Sequence, residues 1–170
     1  MNTKEKYKFE DSGSEISFMP NYYFLPNIKW ALGIGILVVP VFFYFRNVLS
    51  EGAFTIASIL WVLYMGYFLI DLIFRVPVKY IFNKQEKCIY RKQFLTQKIM
   101  SFDEMTYFIN DETGGYYYVI GKKRNQFVKN HRISNYFSGS KKSRVREEEY
   151  LENILYPVLD AIDIPINRPQ

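Results

Sequence analysis

One histidine, His131, and one cysteine, Cys88, are all this 170-residue chain offers to nucleophilic or metal chemistry. A zinc site of the usual kind needs several Cys, His or carboxylate ligands converging on one point, which a single His and a single Cys cannot supply. His131 lies between Asn130 and Arg132, with no acid close by in sequence to orient it as a base, and reads as a strand residue. Cys88 precedes Ile89 in an apolar alternation and reads as a small core residue; one cysteine allows no intrachain disulfide, which suits a reducing compartment. The acidic pairs Asp103-Glu104 and Asp111-Glu112 are adjacent in β-like runs, where neighbours point to opposite faces, so neither pair makes a carboxylate dyad. Gly114-Gly115 sits in a turn and lacks the strand-to-helix setting of a phosphate loop. No P-loop, zincin, nucleophile-elbow or C-x-x-C pattern occurs. The reading is a non-enzymatic protein without metal or cofactor.

Two charged features remain. Asp71 is the one acid inside a long apolar run, and an intramembrane acid marks a functional candidate by default. Arg75 follows four residues later on the same helical face, so an ion pair whose charged ends reach the interface is expected, not a proton or ion site. The second feature is basic. Between Thr113 and Arg146 there is no acid, while Lys122, Lys123, Arg124, Lys129, Arg132, Lys141, Lys142, Arg144 and Arg146 all fall there or at its end. GKKRN reads as a hairpin tip, and GSKKSRVR as a flexible loop leading into a helix. Held beside an anionic leaflet, each such cation contributes about 1 kcal/mol of attraction; without one, they form a solvated face. Partners expected are therefore the bilayer, anionic headgroups or a protein. Nucleic acid ranks below these, because the cations cluster in loops and the chain is tethered.

The tether is the block from residue 30 to 74. It holds the runs WALGIGILVVPVFFYF and AFTIASILWVLYMGYFLIDLIF, joined by a short polar link. A helix needs about 20 apolar residues to cross the hydrocarbon core. The second run meets this; the first does so if Lys29 and Arg46 lift their charges to the headgroups. Neither run has a polar face. Two spans, about 29–46 and 53–74, are expected, with Pro40 as a site for a kink and Gly33, Gly35, Ala53, Ala57 and Gly66 as points of close approach. Lysines 4, 6, 8 and 29 precede the first span, and Arg75, Lys79, Lys84, Lys87, Arg91 and Lys92 follow the second, while the link carries only Arg46 beside Glu51. The positive-inside rule then places both termini in the cytoplasm of a plasma (inner) membrane.

Residues 1–27 read as a polar arm with a flexible break at Ser12-Gly13-Ser14, and 28–75 as the hairpin. Residues 76–170 read as one domain. Short β-like runs (VKYIFN, KCIYRKQF, QKIMS, EMTYFIN, YYYVIG, QFVKNHRIS) alternate with turn residues, giving about six or seven antiparallel strands in a barrel or sandwich. Val145, Tyr150 or Leu151, Ile154, Leu155, Val158 and Ile162 then step by three and four, which is an amphipathic helix, with glutamates 147, 148 and 149 in its first turns and a kink or a break expected at Pro157. The fold class is a membrane α-helical hairpin plus an α+β domain.

The run VKYIFNKQEKCIYRKQFL, with KIMSFDEMTYF after it, resembles the opening strands of pleckstrin-homology-like domains, and the closing amphipathic helix fits that pattern. Such domains occur in bacterial membrane proteins directly after a pair of transmembrane helices. The resemblance covers roughly residues 76–163 and implies a cytoplasmic PH-like barrel that binds lipid or protein. By analogy alone, small two-span proteins of this layout also suit toxin immunity or regulation by protein contact.

Overall fold

The computed structural model describes residues 2–123 and 130–164. In chain order it has a short helix α1 (Thr3–Lys6), strands β1 (Glu10–Asp11) and β2 (Glu15–Phe18), and long helices α2 (Leu25–Phe45) and α3 (Glu51–Ile70). Six strands follow: β3 (Lys79–Asn83), β4 (Cys88–Lys92), β5 (Thr96–Ser101), β6 (Met105–Glu112), β7 (Gly115–Lys122) and β8 (His131–Arg132). Helix α4 (Lys141–Tyr150), a π-helical turn (Leu151–Leu155) and α5 (Tyr156–Ala161) complete it. The chain divides into two compact units, Phe24–Pro77 and the rest.

The first unit is the helical pair. Both helices are long and apolar enough to cross a membrane, with a mean hydropathy of 2.0 each. Pro26 opens α2 at its first turn, where a missing N–H costs nothing, and α2 continues through Pro40. Ser50 caps α3 by accepting from the Ala53 N–H. The helices are stitched by two polar bonds: Trp61 Nε1 donates to the Gly35 carbonyl at 2.9 Å and the Tyr64 hydroxyl to the Ala31 carbonyl at 3.0 Å. Gly35 is a true close approach, since a Cβ there would lie 2.2 Å from the Met65 sulfur; Gly33 and Gly66 face open space. After α3 a π-helical turn carries Asp71 and Arg75, whose charged groups are 3.5 Å apart, and the Arg75 guanidinium lies over the Phe24 ring. The expected pair is formed.

The second unit is antiparallel throughout: a five-stranded sheet in the order β1-β2-β3-β4-β5 and a three-stranded sheet β6-β7-β8. The two sheets do not close into a barrel, because β5 and β6, though consecutive, do not pair. Alternation sets the inward faces: in β3, Tyr80 and Phe82 are buried while their neighbours are half-exposed. The core joins Phe18, Phe82, Ile89, Met105, Ile120 and Phe137 to Tyr150, Ile154, Leu155, Val158 and Leu159 of the C-terminal helix.

Three expectations change here. Residues 1–27 are not simply a polar arm: β2 pairs with β3 (Ile16↔Phe82, Phe18↔Tyr80), and Asn2–Tyr23 fold with the C-terminal domain. The Ser12-Gly13-Ser14 break is the turn of the β1–β2 hairpin; Gly13 takes φ 81° and its N–H donates to Asp11 Oδ1. Second, the helix begins at Lys141, so Glu147, Glu148 and Glu149 sit in its middle instead of at its positive end, and Val145 lies outside the apolar stripe, exposed. Third, of the kink or break expected at Pro157, the break does not occur; the helix is distorted just before the proline instead. The widened turn at Leu151–Leu155 spans Asn153, whose carbonyl the proline ring would otherwise crowd, and the helical path continues into α5.

Candidate functional site

Helix α4 and strand β7 meet at one carboxylate. Tyr116 and Tyr118 are two residues apart on β7 and therefore share a face. Both hydroxyls donate to Glu147, at 2.5 and 2.7 Å. Burial and then the hydrogen bond to Glu147 push the Tyr116 phenol up to about 12, and the same causes push Tyr118 higher still. Both phenols therefore stay protonated at neutral pH and act as donors. Beside this clasp runs a groove of about 790 Å³ between the β6–β7 face and the C-terminal helix. Tyr107, Ile109, Leu151, Leu155 and Tyr156 give it ring and aliphatic walls, and Arg144, Glu147 and Glu148 give it charge. Its size suits a side chain or small molecule, and its chemistry suits binding: apolar walls with a few polar anchors.

Residues 133–137 tie β7, Tyr150 and Tyr7 together. Tyr118 N–H donates to Ser134 Oγ, the Tyr150 hydroxyl to the Ile133 carbonyl, and Asn135 Nδ2 to the Tyr7 hydroxyl, at 2.7, 2.8 and 2.8 Å. Tyr116 also forms a bridge with Phe137, so close to Gly115 that a Cβ there would sit 2.1 Å from the Phe137 carbonyl oxygen. The sequence reading missed this clasp. Its local signal, two tyrosines at strand spacing and a glutamate on a helix, is common, and the partners lie 31 and 29 residues apart.

The basic residues are spread around the domain. Lys122 pairs with Glu104 at 2.9 Å, which holds the Glu104 carboxyl below its ordinary value. Arg132 donates through Nε to the Ser134 carbonyl at 2.8 Å, and its guanidinium covers the Tyr117 ring at 4.5 Å. Arg146 is half-buried and donates to the Tyr23 hydroxyl at 3.2 Å. Lys123, Lys141, Lys142 and Arg144 are exposed, the last three on the first turns of α4; GSKKSRVR is thus largely helix, not loop. Arg124 and Lys129 lie outside the described residues.

The remaining candidates fall where structure uses them. Cys88 is buried, and His131 is half-buried in β8 with its ring beside Tyr80. Asp111 and Glu112 end β6 opposite Tyr116 and Gly115 on opposite faces, and Glu112 accepts from the Tyr117 hydroxyl at 2.8 Å. Among the described residues no three His, Cys, Asp or Glu side chains converge to hold a metal ion. No family model, curated protein or solved structure matches this chain.

Proposed function

We propose that this chain is a non-enzymatic integral membrane protein whose helical pair anchors a cytoplasmic PH-like module that binds anionic lipid. The observation that carries the reading is the exposure of the pair. Apolar side chains stand outward along both helices, among them Ile36, Leu37, Phe43, Ile59, Leu63 and Ile70, and no residue of α3 is buried. In water such a surface is far larger than a monomer tolerates; in a bilayer it is the surface required. The lysine and arginine bias at both flanks favours cytoplasmic termini. Sheets capped by a C-terminal helix support the PH-like reading, and Lys123, Lys141, Lys142 and Arg144 remain on the surface to face headgroups.

The test is hydrogen exchange on the full chain in nanodiscs. Helix α4 exchanges more slowly in phosphatidylglycerol-containing discs than in phosphatidylcholine discs, and K141E/K142E removes the difference. Equal exchange in both lipids contradicts the lipid reading. The groove beside Glu147 favours a second reading, regulation or toxin immunity through a protein partner, in which Tyr107→Ala abolishes a contact that lipid composition does not alter.

A further inference from the structure

The hairpin between β4 and β5 ends in two large apolar side chains, Phe94 at 65% and Leu95 at 74%, the most exposed among the described residues of the sheet-bearing unit. A turn tip is where polar residues belong, and burying neither side chain forfeits the main gain an apolar residue offers. The chain around the tip is basic. From Lys87 to Phe102 there is no acid, and Lys87, Arg91, Lys92 and Lys98 all fall within it. Register places the charges usefully. Lys92 stands opposite Thr96 and Tyr90 opposite Lys98, so Lys92 and Lys98 share one face directly behind the tip. Both are exposed. The tip itself is braced: Arg91 donates to the Gln93 side chain at 2.9 Å and Gln93 N–H to the Leu95 carbonyl at 3.4 Å. The sheet behind it is anchored by Ile89 and Met100 in the core.

We infer that the Phe94-Leu95 tip inserts into the interface of an anionic bilayer, with Lys92 and Lys98 seated on its headgroups. Apolar residues at a point, with two cations set behind them, match the layering of such an interface: acyl boundary within, anionic groups above it. A protein groove would take the apolar pair but has no need of two exposed lysines on one face behind it. This inference rests on the lipid-binding reading above and names an element that reading did not use.

The experiment uses the full chain in nanodiscs of mixed phosphatidylglycerol and phosphatidylcholine, and of phosphatidylcholine alone, in a Cys88→Ala background. A polarity-sensitive fluorophore is placed at Leu95→Cys, at Lys142→Cys, or at Gln85→Cys in the turn between β3 and β4. The Leu95 label is expected to shift to the blue and to be quenched by lipid-borne nitroxide in the mixed discs. It responds less in phosphatidylcholine alone and after K92E/K98E, while the Gln85 label stays water-like. A response at Lys142 with none at Leu95 overturns the insertion but leaves the lipid-binding reading standing. No response at either position overturns both. A blue shift at Leu95 without lipid quenching assigns the tip to a protein contact and overturns the inference.

Discussion

The two units use the same apolar residue types and turn them in opposite directions. In the helical pair Leu37 is 71% exposed and Phe43 71%; in the sheet unit Phe82, Ile89 and Tyr150 are each at 0%. The polar groups mirror this. The pair's bonds between helices run from Trp61 and Tyr64 to backbone carbonyls on the facing helix, whereas the domain ties Glu10, Asp11 and Glu104 to lysines at its surface. The pair presents an apolar surface long enough to cross a membrane, the domain a polar one. Burial in the domain is the driving force; for the pair, on the membrane reading proposed above, apolar faces gain nothing by meeting each other that lipid does not already give, so small residues and hydrogen bonds decide the packing.

The same truncation should therefore have unequal effects in the two regions. Phe82→Ala removes a fully buried ring and is expected to cost about 3–5 kcal/mol, read as loss of the cooperative denaturant transition of the sheet unit. Leu63→Ala, on the exposed side of α3, is expected to leave that transition and the helix signal unchanged. Charge should reverse the ranking. Leu63→Arg near the middle of α3 is expected to raise the insertion free energy by roughly 2.5–3.5 kcal/mol, seen as a shift of full-length protein out of the membrane fraction. Val145→Lys, at an exposed apolar site of the domain, should stay within about 0.5 kcal/mol. Smaller again is the seam between the helices. Trp61→Phe deletes one hydrogen bond to Gly35 and is expected to weaken pairing by about 0.6 kcal/mol, whereas Gly35→Ile meets Met65 and should part the helices; a distance probe between labelled spans separates the two outcomes.

The smallest effect is on pH. Glu10 is held below its ordinary value of 4.5, first by the hydrogen bond from Lys79 and then by that lysine's charge, with the two atoms 2.6 Å apart. A carboxyl lowered in the folded state contributes stability above its unfolded value and loses it as pH falls through the folded value. Stability of the sheet unit should therefore decline below about pH 4.5, and Glu10→Gln should flatten part of that decline. The pair is exposed, so the change is small, and urea midpoints of the two proteins across that range measure it.

What the sequence made legible follows from distance along the chain. The helices are visible because span length and the lack of a polar face are local properties. The strand runs after Val78 are visible because short aromatic and β-branched runs such as VKYIF are bounded by turn residues, which is again a local property. The N-terminal residues read as a polar arm because their partners are remote: Glu10 and Asp11 meet Lys79 and Lys84, 69 and 73 residues on. The helix start was misplaced for a different reason. The glycine and serines of GSKKSRVR favour a loop, but the Ser140 cap and the buried Ser143 hydroxyl, which accepts from Ser138 N–H at 2.8 Å, set the start at Lys141. The groove could not be seen at all, since it exists only where β7 meets α4.

The central claim is that the helical pair lies in lipid with the sheet unit on the cytoplasmic side, and the link between the helices tests it most directly. Cysteine is placed at Asn47, or at Lys142, in a Cys88→Ala chain, and intact cells are treated with a membrane-impermeant maleimide. The account predicts labelling at Asn47 and none at Lys142 until the cells are opened, with the protein remaining in the membrane after alkaline carbonate. Labelling at Lys142 in intact cells, or release of the chain by carbonate, would contradict it.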